Sequence, residues 1–161
     1  MASSSTNGGK PVLPLIINNE SVVTDNVFEV HDPSTGETIN HCAGASIDDA
    51  NRAVAAAKAA FPGWSKTHPY ERRAILSRAA DIMLSRKEEF MKTQIEETGA
   101  MELFVEKTFM GGVEFLRSFA GMLPSVEDKS PLVRDSEQGA LVVKQPYGVV
   151  LGIAPRYVFE F

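Results

Sequence analysis

The chain has one cysteine in 161 residues, Cys42, and that scarcity excludes an internal disulfide framework and any cysteine-rich metal site. It lacks long apolar runs. No window approaches the roughly 18 apolar residues of a membrane span, so no membrane partner is expected. It also lacks a basic cluster, because Arg72, Arg73, Arg78, Arg86 and Lys87 are interleaved with Glu71, Asp81, Glu88 and Glu89. With a formal net charge of -5, that pattern gives solvated helix faces and no electrostatic footprint for nucleic acid. His31, His41 and His68 have no metal-like spacing, so no metal site is expected. The start, Met1 to Lys10, is Ser- and Gly-rich without the apolar core of a signal peptide, which makes a cytoplasmic address the default.

What is present fits a folded domain, with 43% hydrophobic and 23% charged residues. After a disordered stretch over 1–12, Leu13 to Ile17 and Val27 to Val30 read as strands. Asp32-Pro-Ser-Thr-Gly36 then forms a turn cluster leading to a strand at Thr38 to Ala43, and together these predict an antiparallel meander. Ser46 with Asp49 three residues on marks a helix start. That helix should run to Phe61, stop at Pro62-Gly63, and bury Ala50, Ala53, Val54, Ala57 and Phe61 along one stripe. Pro69 opens a second helix with Ile75, Leu76, Ala79, Ala80, Met83 and Leu84 on one face. Ser85 and Glu88 repeat the capping-box spacing for a third, which Gly99 ends. A fourth runs from Met101 to Phe119, with Gly111-Gly112 read as a close helix contact. Leu123 to Glu137 is loop-like, and there is no internal repeat.

Residues able to carry chemistry are few. Cys42 as a nucleophile would need a base such as His41 or a helix N-terminus to lower its thiol pKa. As a small buried hydrophobe it needs nothing, and adjacent strand residues point to opposite faces. The second reading is favoured. Glu96 and Glu97 diverge by about 100 degrees on a helix, which suits a solvated helix end better than an acid/base pair. Trp64, after Pro62-Gly63, reads as an anchor for the helix junction.

The most informative stretch is Lys144-Gln-Pro-Tyr-Gly-Val-Val-Leu-Gly-Ile-Ala-Pro155. Ala140 to Lys144 reads as one strand. Val149, Val150, Leu151 and Ile153 read as another, apolar on both faces as in a parallel sheet. Parallel partners require crossovers of a dozen or more residues, and only Arg156 to Phe161 follow. The chain therefore reads as the opening part of a larger enzyme.

Asn40-His-Cys-Ala, the Ala-rich run Asp48 to Phe61, Trp64, Glu71-Arg72, Glu97-Thr98-Gly99, and Pro146 to Pro155 follow one another along the chain. In that order and spacing they resemble the N-terminal part of the aldehyde dehydrogenase superfamily. The similarity runs from about Leu13 to Pro155, nearest to the salicylaldehyde and vanillin dehydrogenase branch. It implies an α/β fold in which antiparallel strands and a helical cluster lead into the first strand of a Rossmann-like sheet. The domain layout it implies is an incomplete NAD(P)-binding part at 13–155, including part of an oligomerisation hairpin, and an unrelated tail at 156–161.

The activity implied is oxidation of an aldehyde to a carboxylic acid with NAD or NADP. A cysteine thiolate attacks the carbonyl, hydride leaves to the nicotinamide, and a glutamate-activated water hydrolyses the thioester. Cys42 matches neither of the family's catalytic motifs, so no catalytic residue is assigned. Ile153, Ala154 and Pro155 match the family's cofactor-facing segment. Arg156 and Tyr157 stand where the family has Trp and an oxyanion-donating Asn. The expectation is that this chain alone binds no cofactor and is inactive. The alternative is a non-catalytic short product, an oligomerisation or interaction module. The family is homo-oligomeric, and exposed apolar helix faces and strand edges predict self-association of this chain.

Overall fold

The computed structural model describes residues 6–7, 10–126 and 137–154. Six short strands precede four helices: β1 (Thr6–Asn7), β2 (Lys10–Leu13), β3 (Leu15–Ile17), β4 (Glu20–Val22), β5 (Val27–His31), β6 (Thr38–Ala43), α1 (Ile47–Trp64), α2 (Pro69–Ser85), α3 (Lys87–Thr98) and α4 (Glu102–Met122). A 3-10 turn, Leu123–Ser125, follows α4. Paired backbone thus begins earlier than the expected boundary at residue 13.

The strands are not a simple meander. A four-stranded sheet has the order β1-β2-β6-β5, and β3-β4 form a separate hairpin. β5 and β6 pair antiparallel as expected, but β2 lies parallel to β6, with Val12 opposite His41. The expected strand Leu13 to Ile17 is divided at Pro14, which has no N–H to donate to a ladder. The β3-β4 turn is Asn18-Asn19, both at positive φ (53° and 63°), a conformation asparagine tolerates and one that matches the twist of a tight hairpin. In β6 the extra residue Ile39 shifts the register, so that Val30 faces Asn40 while His31 faces Thr38.

The start of α1 forms as its sequence requires. The Ser46 hydroxyl accepts from the Asp49 N–H (3.1 Å), and the Asp49 carboxylate accepts from the Ser46 N–H (3.0 Å). Its end differs from expectation, because α1 continues through Pro62 to Trp64. A proline so near the C-terminus forfeits one hydrogen bond. The Ser65 and Thr67 hydroxyls donate to the last carbonyls, those of Pro62 and Gly63. The expected buried stripe of α1 is also corrected, since Ala50, Ala53, Val54 and Ala57 are exposed.

In α2 the His68 imidazole accepts from the Tyr70 N–H at the helix start, and Pro69 occupies the first turn. The capping box expected at Ser85 and Glu88 does not form. Ser85 donates back to the Ile82 carbonyl, and Arg86 at the cap position holds Glu89 instead. Gly99, at φ 64°, ends α3 as expected.

The core lies between α2, α3 and α4. Ala80, Phe109 and Val113 are fully buried, with Met83, Phe90, Met110 and Leu116 packed against them. Phe90 and Phe109 have ring centroids 6.0 Å apart. Gly112 is on the buried face of α4, consistent with close helix contact there.

Beyond α4, the expected strand Ala140 to Lys144 is reduced to one isolated bridge at Val142, and no strand forms over 149–153. That apolar run lies exposed, with no ladder along either edge among the described residues. Pro131, Pro155 and the tail 156–161 lie outside the described residues.

Candidate functional site

The candidate cofactor segment emerges from Gly148, whose φ of 101° turns the chain in a way that L side chains rarely follow. Gly148, Val149 and Val150 then pass the C-terminal half of α1. With Ala57, Ala60, Phe61 and Trp64 they line an open groove of about 310 Å³. The alanines of α1 are what let the backbone come close. Beyond the groove the ribbon is bare, with Leu151 82% and Ile153 79% exposed and Ala154 also exposed. Trp64 borders this groove as well as the helix junction and remains 46% exposed.

Neither Ile153 nor Ala154 carries a side-chain donor for a pyrophosphate. A pyrophosphate requires clustered N–H donors and a favourable field, usually a helix N-terminus after a strand. α1, which follows β6, begins with Asp48 and Asp49, and its first-turn donors include the Asp49 N–H committed to Ser46. Those carboxylates repel phosphate. Pro155 lies outside the described residues.

Cys42 is half-buried, and burial followed by the charge of Glu97 pushes its thiol pKa up. That is the reverse of activation. His41, its neighbour, has its Nε2 3.8 Å from the Glu29 carboxylate across the ladder. Its Nδ1 is buried without a hydrogen-bond partner. Glu96 meets Lys92 at 3.7 Å.

Two groupings were not legible from residue spacing. The bulge at Ile39 places Thr38 beside Glu29 and His31. The Thr38 hydroxyl donates to Glu29 at 3.0 Å, and His31 Nε2 is 3.4 Å from the same carboxylate. Among the described residues, no three His, Cys, Asp or Glu side chains are arranged to hold a metal ion. The second grouping brings Arg72 of α2 and Lys144, 72 residues on in the chain, to one notch. The signal available for it was Glu71-Arg72 and Lys144 within the quoted segments, with nothing to say that they meet.

Comparison with known proteins follows the same outline. A vanillin dehydrogenase from a Pseudomonas species is 40% identical over 147 residues, covering 89% of this chain and 30% of that protein. A salicylaldehyde dehydrogenase from Pseudomonas putida, solved with salicylaldehyde, superposes with a TM-score of 0.78 at 27% identity, over 84% of this chain and 28% of that one. A Mycobacterium tuberculosis aldehyde dehydrogenase complexed with NAD+ gives a TM-score of 0.76 at 31% identity, over 84% and 29%. The chain spans about 30% of the length of its curated relatives. Residues 20–156 match the aldehyde dehydrogenase family, which takes in both the helical cluster and the bare ribbon. The chain belongs to the aldehyde dehydrogenase family.

Proposed function

We propose that these residues form the N-terminal, cofactor-side part of an NAD(P)-dependent enzyme that oxidises an aromatic aldehyde to its carboxylic acid. The 40% identity to a vanillin dehydrogenase supports that substrate class. In this reading the ribbon 149–153 is a sheet strand whose neighbours come from further aldehyde dehydrogenase sequence, and Ile153, Ala154 and Pro155 approach the nicotinamide only once that sheet exists. The polypeptide itself is catalytically silent. Its one thiol, Cys42, is half-buried with a raised pKa, and a thiohemiacetal needs a thiolate.

The observation that carries the proposal is the family match over residues 20–156 ending on an exposed apolar ribbon. The test is to incubate purified chain with vanillin and NAD or NADP and follow reduced nicotinamide. No turnover is expected, and NADH formation that survives Cys42→Ser would overturn both the assigned chemistry and the assigned silence. The alternative, a non-catalytic module that associates through its exposed apolar ribbon, is favoured by the same exposure. Sedimentation separates the two, because a module gives one defined oligomer where a displaced strand gives open-ended association.

A further inference from the structure

We draw no further inference here: the strongest candidate, the groove of about 570 Å³ between α3 and the start of α4 that has Glu88, Met91, Ile95 and Glu102 in its lining, carries nothing, because it is an acidic cluster over a short apolar floor and nothing in the structure shows what covers it.

Discussion

The helices α2 to α4 and the surface formed by α1 with the ribbon 148–154 both carry apolar residues in sequence but are opposite in outcome. In the first, Ala80, Phe109 and Val113 have no exposed surface. In the second, Val54, Val150, Leu151 and Ile153 remain largely in water. Burying a large apolar side chain contributes about 1.5–3 kcal/mol, so folding free energy is concentrated in the cluster and the ribbon receives almost none. The family match nonetheless runs through the ribbon as well as through the helices. Likeness to the family therefore extends beyond the part that holds most of the stability.

The sharpest way to break that contrast is to empty the cluster. Phe109→Ala removes a ring that packs on Phe90 and should cost about 3–5 kcal/mol, a large fraction of the roughly 5–15 kcal/mol that holds a typical domain folded. Urea denaturation measures it directly. A loss below about 1 kcal/mol would mean that the helices are not the seat of stability.

A smaller effect is expected where α3 turns back toward the strands. Gly99 sits at φ 64°, and a Cβ there would lie 2.9 Å from Pro33 Cγ. Gly99→Ala combines left-handed strain with a contact against a stiff ring, and should cost about 1–3 kcal/mol in a thermal melt. If it proves neutral, the α3 end and the Asp32–Gly36 turn are not held together.

The cap of α1 tests the other side of the comparison. Ser46→Ala should cost about 1 kcal/mol, because it orphans the Asp49 N–H and removes the hydroxyl that bonds the carboxylate. Those bonds, with Arg52 as a lesser contributor, hold the Asp49 carboxyl below its ordinary 3.8. Its folded-state pKa is thus the lower one, so its contribution to stability is complete above pH 3.8 and disappears as pH falls through the folded value. Glu89 beside Arg86 and Glu106 beside Lys87 act in the same direction. The diagnostic quantity is therefore the difference between native and Ser46→Ala melts, which should narrow as the pH drops below 3.8.

Local rules made the helices legible. Ser46-Asp49, Pro69 and Gly99 each mark an end through a backbone hydrogen-bonding need, and the recurrence of Val105, Phe109 and Val113 in α4 gives the buried face. Strand pairing was less legible because partners are chosen across distance. Nothing in Lys10–Leu13 says that it will lie parallel to β6, and the bulge at Ile39 has no glycine to signal it. The Ser85-Glu88 capping box does not form because Ser85 is still the last residue of α2, where its hydroxyl donates to the Ile82 carbonyl, and α3 starts only at Lys87 with Arg86 as its cap. The alanine stripe of α1 and the run Val149 to Ile153 are apolar, but the burial expected of both, and the strand expected at 149–153, do not form. Pattern alone reports that a face is suited to burial, not that a partner for it is present.

The smallest stability effect and the most informative association effect should come from one substitution. Leu151 is 82% exposed, so Leu151→Ser should change the unfolding free energy by less than about 0.5 kcal/mol, against the several expected at Phe109. An exposed apolar segment with no ladder along either edge among the described residues is also a template for pairing with another chain, so the same substitution should raise the concentration at which the protein self-associates. Sedimentation velocity across a concentration series, run beside the melts, reads both quantities. If Leu151→Ser melts well below the native chain even at the lowest concentration, the ribbon is already buried within a single polypeptide, and the division between a closed cluster and a bare ribbon fails.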